Sequence, residues 1–148
     1  MNDCPFCGNV ELKSRIIDET CNTITILSNP ALVNYHLFVI PKKHVEKLSD
    51  LTCEERTELF EQAVKFQNIL LKKFGGCDIR QNCRPFQKQD TLKVNHVHIH
   101  LQPRTFKDEL YTKSQIFETS IFRNLNNYEL NRIKSGISEL KEEIKNAN

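Results

Sequence analysis

Three of the five histidines in this 148-residue chain lie two positions apart in the segment KVNHVHIHLQPR, residues 93–104. Successive side chains of a β-strand point to opposite faces, so His96, His98 and His100 would share one face of such a strand. The apolar residues between them would then face a core. A solvated polar face, a metal site and a catalytic site all fit this pattern, and other residues must distinguish them.

Both functional interpretations of the histidine segment rest on ordinary imidazole chemistry. Imidazoles two residues apart on a strand have Cα atoms about 7 Å apart and can converge on one metal ion. An imidazole nitrogen can also act as nucleophile or base while neighbouring histidines bind a phosphoryl or nucleotidyl group. A chance polar face is the weakest explanation, because three of only five histidines fall at perfect alternation.

The segment CPFCG, residues 4–8, is typical of a zinc knuckle, with Cys4 and Cys7 as ligands and a glycine after the second thiol. The sequence contains no second Cys-x-x-Cys, so four-coordinate zinc would need histidines as its remaining ligands. A thioredoxin-like redox pair follows a strand, and no strand pattern precedes Cys4. Zinc is therefore favoured over a redox pair or two unmetallated thiols.

The composition limits the classes of partner. The chain is 39% hydrophobic and 27% charged, with a net charge of +2, which is too small to indicate a nucleic-acid or membrane surface. We therefore expect a small ligand in a pocket and no specific nucleic acid. No stretch approaches the roughly 20 apolar residues of a membrane span. Because the first residues lack a secretory signal pattern, we expect a cytoplasmic, reducing location without structural disulfides.

The distribution of elements predicts one domain over residues 1–148 with an α+β fold and a mostly antiparallel sheet. The knuckle occupies residues 1–20, and a C-terminal helical extension occupies residues 105–148. Runs rich in β-branched and apolar residues predict strands at 21–30, 36–41, 77–82 and 93–103.

Two helices are predicted from capping and apolar spacing. Thr52 and Glu55 form a capping box, and the apolar residues behind it recur at helical spacing until Gly75-Gly76. This predicts a long helix between strands. A second helix is predicted over residues 127–145, with an apolar stripe that we expect to pack on the domain body, the alternative being a seam with a partner helix.

The histidine blocks resemble a known family. HVHIHLQ, residues 96–102, resembles the His-x-His-x-His motif of the histidine triad (HIT) superfamily of nucleotide hydrolases and transferases. NPALVNYHLFVIPKKHV, residues 29–45, is similar to that family's Asn-Pro turn, first active-site histidine, strand and Pro-Lys-x-His segment. The resemblance covers roughly residues 20–104 and implies an enzyme that acts at the α-phosphate of a nucleotide.

The resemblance implies roles for particular residues. His98 would be the nucleophile that attacks the α-phosphorus and forms a nucleotidyl-histidine intermediate. His36 and His100 would flank the phosphate and stabilise its developing charge. Asn82 matches a position that contacts phosphate or ribose. Gln102 lies on the predicted triad face and could reach the phosphate or leaving group.

Zinc-bearing members of the family, and the related galactose phosphate uridylyltransferases, also carry an N-terminal Cys-x-x-Cys. The ligands implied here are Cys4, Cys7, His44 and His96, with one zinc per chain. Four protein ligands leave no position for water, so such a zinc would be structural. A uridylyltransferase itself is disfavoured, because His100 stands where those enzymes carry glutamine. The family also implies a homodimer.

Two departures from the family pattern leave the substrate open. Lys93 replaces a small hydroxyl residue near the leaving group, and it would either hold an anionic leaving group or be a solvated lysine. The approach at residues 82–92 is longer and more basic than the family's Gly-rich one, so Arg84 and Lys88 are either phosphate contacts or surface charges. Dinucleoside polyphosphates, nucleoside phosphoramidates and transfer to another acceptor all remain possible. The competing hypothesis is a non-enzymatic zinc- or nucleotide-binding module.

Overall fold

One antiparallel sheet organises the first 110 residues. The computed structural model describes residues 4–8, 10–90 and 92–147, and within these the sheet has five strands. They are β1 Ile16–Glu19, β2 Thr23–Leu27, β3 Leu37–Pro41, β4 Gly76–Gln81 and β5 Ile99–Arg104. The spatial order β1-β2-β3-β5-β4 places β5 between β3 and β4. All four strand pairs are antiparallel, which confirms the predicted α+β fold.

Residues 1–110 form the first of two compact units. The α-helices described in it are α1 Val10–Lys13 and the long α2 Cys53–Leu71. The predicted capping box starts α2. The Thr52 hydroxyl accepts the Glu55 backbone N–H at 3.1 Å, and the Glu55 carboxylate accepts the Thr52 N–H at 2.7 Å. The helix ends at Leu71, before the glycine pair Gly75-Gly76 that was expected to stop it. Gly76 is instead the first residue of β4.

The sheet separates two apolar layers. Helix α2 covers one face through Leu59, Ala63 and Phe66, which cluster with buried residues of β3 and β5. The N-terminal knuckle covers the other face, where Cys4 and Phe6 cluster with apolar residues of β2 and β3. Residues opposite each other in a ladder share a face, so the register places Phe38, His100 and Arg80 together on the knuckle side. The α2 layer supports the sheet from behind this face.

The histidine segment differs from expectation. The strand predicted over residues 93–103 begins only at Ile99, so His96 and His98 precede β5. The β3–β5 ladder stops at the Val39–Ile99 pair, and the Val97 N–H donates instead to the Val45 carbonyl at 2.7 Å. The loop after β3 thus takes the hydrogen bond that a continued strand would have used. Strand β1 and helix α1 were not predicted.

The second unit, residues 111–148, is helical. It contains a π-helical turn Tyr111–Gln115, a short helix α3 Ile116–Glu118 and the long helix α4 Asn127–Asn146. Helix α4 is the predicted C-terminal helix and starts with its own capping box between Asn126 and Glu129. Its apolar stripe is between 39% and 65% exposed, and the expected burial of this face stays a prediction. No helix among the described residues is long and apolar enough to cross a membrane.

The assignment of the α2 face can be tested by truncation. Leu59 is fully buried between α2 and the sheet, so Leu59→Ala should lower the free energy of unfolding by about 2–5 kcal/mol. Ile69 on the same helix is 47% exposed, and Ile69→Ala should cost less than about 1 kcal/mol. Urea unfolding followed by circular dichroism measures both values. Equal losses would contradict the assigned face.

Candidate active site and metal site

His98 lies just before β5 with a ring tautomer set by its own backbone. Its Nδ1 is 2.7 Å from the His96 carbonyl oxygen, and a carbonyl only accepts, so Nδ1 carries the proton. The lone pair of the neutral ring is therefore on Nε2. Burial lowers the pKa of His98 from its ordinary value, with the hydrogen bond to His96 opposing this effect. A neutral imidazole with a free Nε2 is a competent nucleophile.

His36 and His100 form a hydrogen-bonded pair beside His98. The Leu32 backbone N–H donates to His36 Nδ1 at 3.2 Å, so the His36 proton must be on Nε2. His36 Nε2 lies 3.0 Å from His100 Nδ1 and donates to it. The His100 proton is then on Nε2. This relay leaves His100 with one N–H that it can donate to an anionic oxygen.

Both histidines of this pair are neutral near pH 7. Burial lowers the pKa of His36 to about 4, with the nearby His98 adding to the effect. Burial, followed by His98, His36 and Arg80, lowers the pKa of His100 to about 3. The pair therefore offers an oriented N–H donor rather than a permanent positive charge.

The structure brings together the four residues named as metal ligands. One donor atom from each of Cys4, Cys7, His44 and His96 lies within 4.8 Å of the others. His96 Nδ1 is 3.4 Å from Cys4 Sγ and 3.5 Å from Cys7 Sγ, while His44 Nδ1 is 3.3 Å from Cys7 Sγ. Tetrahedral zinc, with Zn–S about 2.3 Å and Zn–N about 2.0 Å, places sulfur and nitrogen ligands about 3.5 Å apart.

The protonation chemistry of this group also fits a cation. His96 Nε2 donates to the Pro41 carbonyl at 2.8 Å, which leaves Nδ1 unprotonated and directed at the thiols. In the protein alone, burial and the neighbouring Cys4 raise the pKa of Cys7 to about 11. Two adjacent thiolates need positive charge between them, and a bound metal ion would supply it.

Phe6 lies against both His96 of the Cys/His group and His98, and it was not predicted from the sequence. Its ring centroid lies 5.8 Å from His96, 5.4 Å from His98 and 5.8 Å from Phe38, with edge-on geometry at each. The ring also lines a cavity of about 100 Å³ beside His98, together with Arg15. The sequence did contain one indication of this contact, because Phe6 is an apolar residue between Cys4 and Cys7. A residue inside such a turn can pack on the surface that the turn covers, which here is the sheet.

A larger cavity of about 510 Å³ opens beside the triad. It is lined by His98 and His100, by the predicted phosphate contacts Asn82, Arg84 and Lys93, and by Lys88. The Asn82 Oδ1 accepts the Arg80 Nε–H at 3.1 Å, so its amide N–H₂ remains available to donate.

Gln102 is placed differently from these residues. It lies opposite Asp78 on β4, is only 3% exposed, and does not line the larger cavity. Its predicted contact with phosphate stays a prediction.

The lowered pKa values of His36 and His100 predict acid sensitivity. Unfolded histidines titrate near pH 6.5, whereas these two stay neutral in the fold until pKa values of about 4 and 3. The unfolded state binds more protons between these limits, so stability falls as pH falls below 6.5. From pH 6.5 to 5.5 the pair should cost about 2 kcal/mol. Urea unfolding at both pH values measures it.

His100→Asn is the variant that isolates this effect. It removes one of the two groups, so about half of the pair's contribution to the pH dependence should disappear. The contribution of every other titrating group is common to both proteins and cancels in the comparison. An unchanged pH dependence in His100→Asn would contradict the neutral state of this imidazole.

The sequence is similar to a known protein family over a range that includes the five histidines. The family model of the HIT domain matches residues 9–107. A HIT-like protein of Methanocaldococcus jannaschii is 32% identical over 105 residues, covering 68% of this chain and 78% of that protein. The bis(5'-adenosyl)-triphosphatase of Dictyostelium discoideum is 34% identical over 117 residues, covering 75% and 74%. A crystal structure from Streptococcus mutans has a TM-score of 0.71 at 26% identity, covering 97% of this chain and 87% of that one.

Proposed function

The chain belongs to the HIT domain family, and on that basis we propose that it is a nucleotide hydrolase or nucleotidyl transferase acting at an α-phosphate. The observation that carries the proposal is the free Nε2 of His98, which the Nδ1–H bond to the His96 carbonyl leaves unprotonated. The donor pair of His36 and His100 stands beside it in the same site. The Dictyostelium discoideum relative, named as a bis(5'-adenosyl)-triphosphatase, supports this class of reaction.

The proposed reaction has two displacement steps. His98 Nε2 attacks the α-phosphorus, so an N–P bond forms while the bond to the leaving group breaks and its electron pair departs with that group. Water then attacks the same phosphorus; the new P–O bond forms, the N–P bond breaks, and the water proton passes to solvent. His98 recovers its lone pair. With another acceptor in place of water, the second step is a transfer.

The other site residues would act on the phosphate oxygens. The His100 Nε2–H, oriented through His36, donates to a non-bridging oxygen as negative charge develops there. The Asn82 amide, oriented by Arg80, supplies a second donor from the cavity wall. Dinucleoside polyphosphates and nucleoside phosphoramidates are the two substrate classes that this chemistry accommodates.

The nucleophile assignment predicts a trapped intermediate. Wild-type protein mixed with α-³²P-labelled nucleotide substrate and quenched should retain acid-labile label on His98. His98→Ala should retain none, and its turnover should fall by at least about 10³-fold, since the variant lacks the Nε2 that would form the N–P bond. Its thermal midpoint should stay close to that of the wild type, which controls for misfolding. Label retained by His98→Ala would refute the assignment.

We further propose that Cys4, Cys7, His44 and His96 bind one structural zinc ion per chain. The support is the set of donor separations and the free Nδ1 of His96. With four protein ligands the ion would hold the knuckle against the triad segment. When bound, zinc supplies positive charge for the thiolates, while the proposed phosphate chemistry stays with His98, His100 and His36.

Loss of the proposed zinc ion should lower the thermal stability of the protein. Wild-type protein should contain one zinc per chain, and Cys7→Ser should lose most of it and melt at a lower temperature. Cys21→Ser, at an exposed cysteine outside the group, is the matched control and should keep both values. Atomic emission and thermal denaturation measure them. Full zinc content in Cys7→Ser would refute the ligand set.

The alternative is a non-enzymatic zinc- or nucleotide-binding module. It would bind zinc and nucleotide without turnover, and two zinc ions per chain with His98 as a ligand would favour it over the enzyme. A homodimer remains a prediction of the family resemblance, and a cytoplasmic location remains a prediction from the sequence pattern.

A further inference from the structure

The segment between β4 and the triad forms one wall of the larger cavity and is rich in cations. Arg84, Lys88 and Lys93 line this cavity together with His98 and His100. We propose that these three cations form a subsite that binds the polyphosphate of the leaving group. This subsite would make the protein prefer dinucleoside polyphosphates over nucleoside phosphoramidates as substrates. The inference rests on the proposed function, because the leaving group is defined by attack at the α-phosphate.

Lys93 is held in place by the loop rather than extended into solvent. Its ammonium donates to the Gln87 carbonyl and, at 2.8 Å, to Asn95 Oδ1. An ammonium has three N–H donors, so one remains for a ligand. Since the lysine is ordered before binding, a phosphate that contacts it avoids most of the entropy cost of fixing a long side chain.

The loop is also closed by its own hydrogen bonds. Asp90 Oδ1 accepts the N–H groups of Leu92 and Lys93 at 2.7 and 2.8 Å, and Asp90 N–H donates to the Lys93 carbonyl at 3.0 Å. The Gln87 N–H donates to the Arg84 carbonyl at 3.0 Å. These contacts set the backbone from which the three cations project.

The charge balance of the cavity favours a polyanion. Among the described residues that line it, Asp90 is the one acidic residue, and the backbone N–H groups that donate to it keep its pKa below the ordinary value, so it stays anionic. Three cations against one carboxylate leave a surplus of positive charge. Within residues 4–8, 10–90 and 92–147, neither Arg84 nor Lys88 forms an ion pair with a carboxylate.

Because His36 and His100 are neutral, the surplus of positive charge on the loop would act in the first chemical step. When His98 attacks a dinucleoside polyphosphate, the bridging P–O bond breaks and its electron pair stays on the departing nucleoside polyphosphate. That group gains one negative charge as it leaves. His36 and His100 carry no charge to balance it, since burial lowers both pKa values. The loop cations would stabilise this developing charge. When the P–N bond of a phosphoramidate breaks, its electron pair goes to the nitrogen, which takes a proton from solvent and leaves as a neutral amine. The loop cations then have no developing negative charge to stabilise.

The test compares two substrates across matched variants of the zinc-bound protein. For Arg84→Gln/Lys88→Gln/Lys93→Gln, kcat/KM on diadenosine tetraphosphate should fall at least about 100-fold, since a charge-assisted contact is typically worth about tenfold. On adenosine phosphoramidate the fall in kcat/KM should be at least about tenfold smaller, because no polyphosphate departs from this substrate. The control Lys72→Gln/Lys134→Gln/Lys141→Gln removes the same charge at exposed positions outside the cavity and should match wild type on both. Equal losses on both substrates, or an equal loss in the control, would overturn the subsite.

Binding of inorganic tripolyphosphate separates this inference from the proposed reaction. Calorimetry should show the wild type and the control variant binding it, with at least about tenfold weaker binding in the cavity triple variant. If wild-type protein turns over neither nucleotide, the proposed function fails, but this measurement still decides the subsite. Equal tripolyphosphate affinity in the wild type and the cavity variant would overturn it.

Discussion

The hydrogen bonds around one residue, His96, hold the site together. Its Nε2–H donates to the Pro41 carbonyl at the end of β3, which fixes the ring against the sheet. Its Nδ1 then faces the two thiols of the knuckle. Its backbone carbonyl accepts the Nδ1–H of His98 and so sets the tautomer of the proposed nucleophile. Because His96 precedes β5, these contacts replace the ladder hydrogen bonds that a strand would have supplied.

The two apolar layers on the sheet differ in what they stabilise. The α2 layer is an apolar core and gives β3 and β5 a rigid position. The knuckle layer is small and is tied to the sheet through Phe6 and the metal group, with Phe6 packed against both His96 and His98. Loss of the knuckle would therefore disturb the nucleophile directly, while the sheet behind it would stay covered. A metal ion bound by Cys4, Cys7, His44 and His96 would therefore also stabilise the position of the proposed nucleophile.

Local chemistry was predictable from the sequence where it depends on short-range rules. The capping box of Thr52 and Glu55, the long helix behind it and the mostly antiparallel sheet were predicted in this way and were confirmed. The extent of the triad strand was predicted wrongly, because alternation cannot reveal that the Val45 carbonyl takes the Val97 N–H. The roles of Phe6 and of the ordered Lys93 ammonium depend on contacts across the fold, which periodicity does not encode.

In this site the proposed nucleophile is neutral, and the positive charges lie on a different segment of the chain. A histidine remains a nucleophile near neutral pH only if it is unprotonated, and burial secures this for His98 by lowering its pKa. The same burial lowers the pKa values of His36 and His100, so the two histidines beside the proposed nucleophile cannot also balance the charge of a polyphosphate. Cations placed among the triad would lower those pKa values further, as Arg80 already does for His100. Positive charge is better tolerated on an exposed loop at the cavity wall, and Arg84 and Lys88 lie there. The basic loop and the neutral triad are therefore two consequences of one electrostatic requirement.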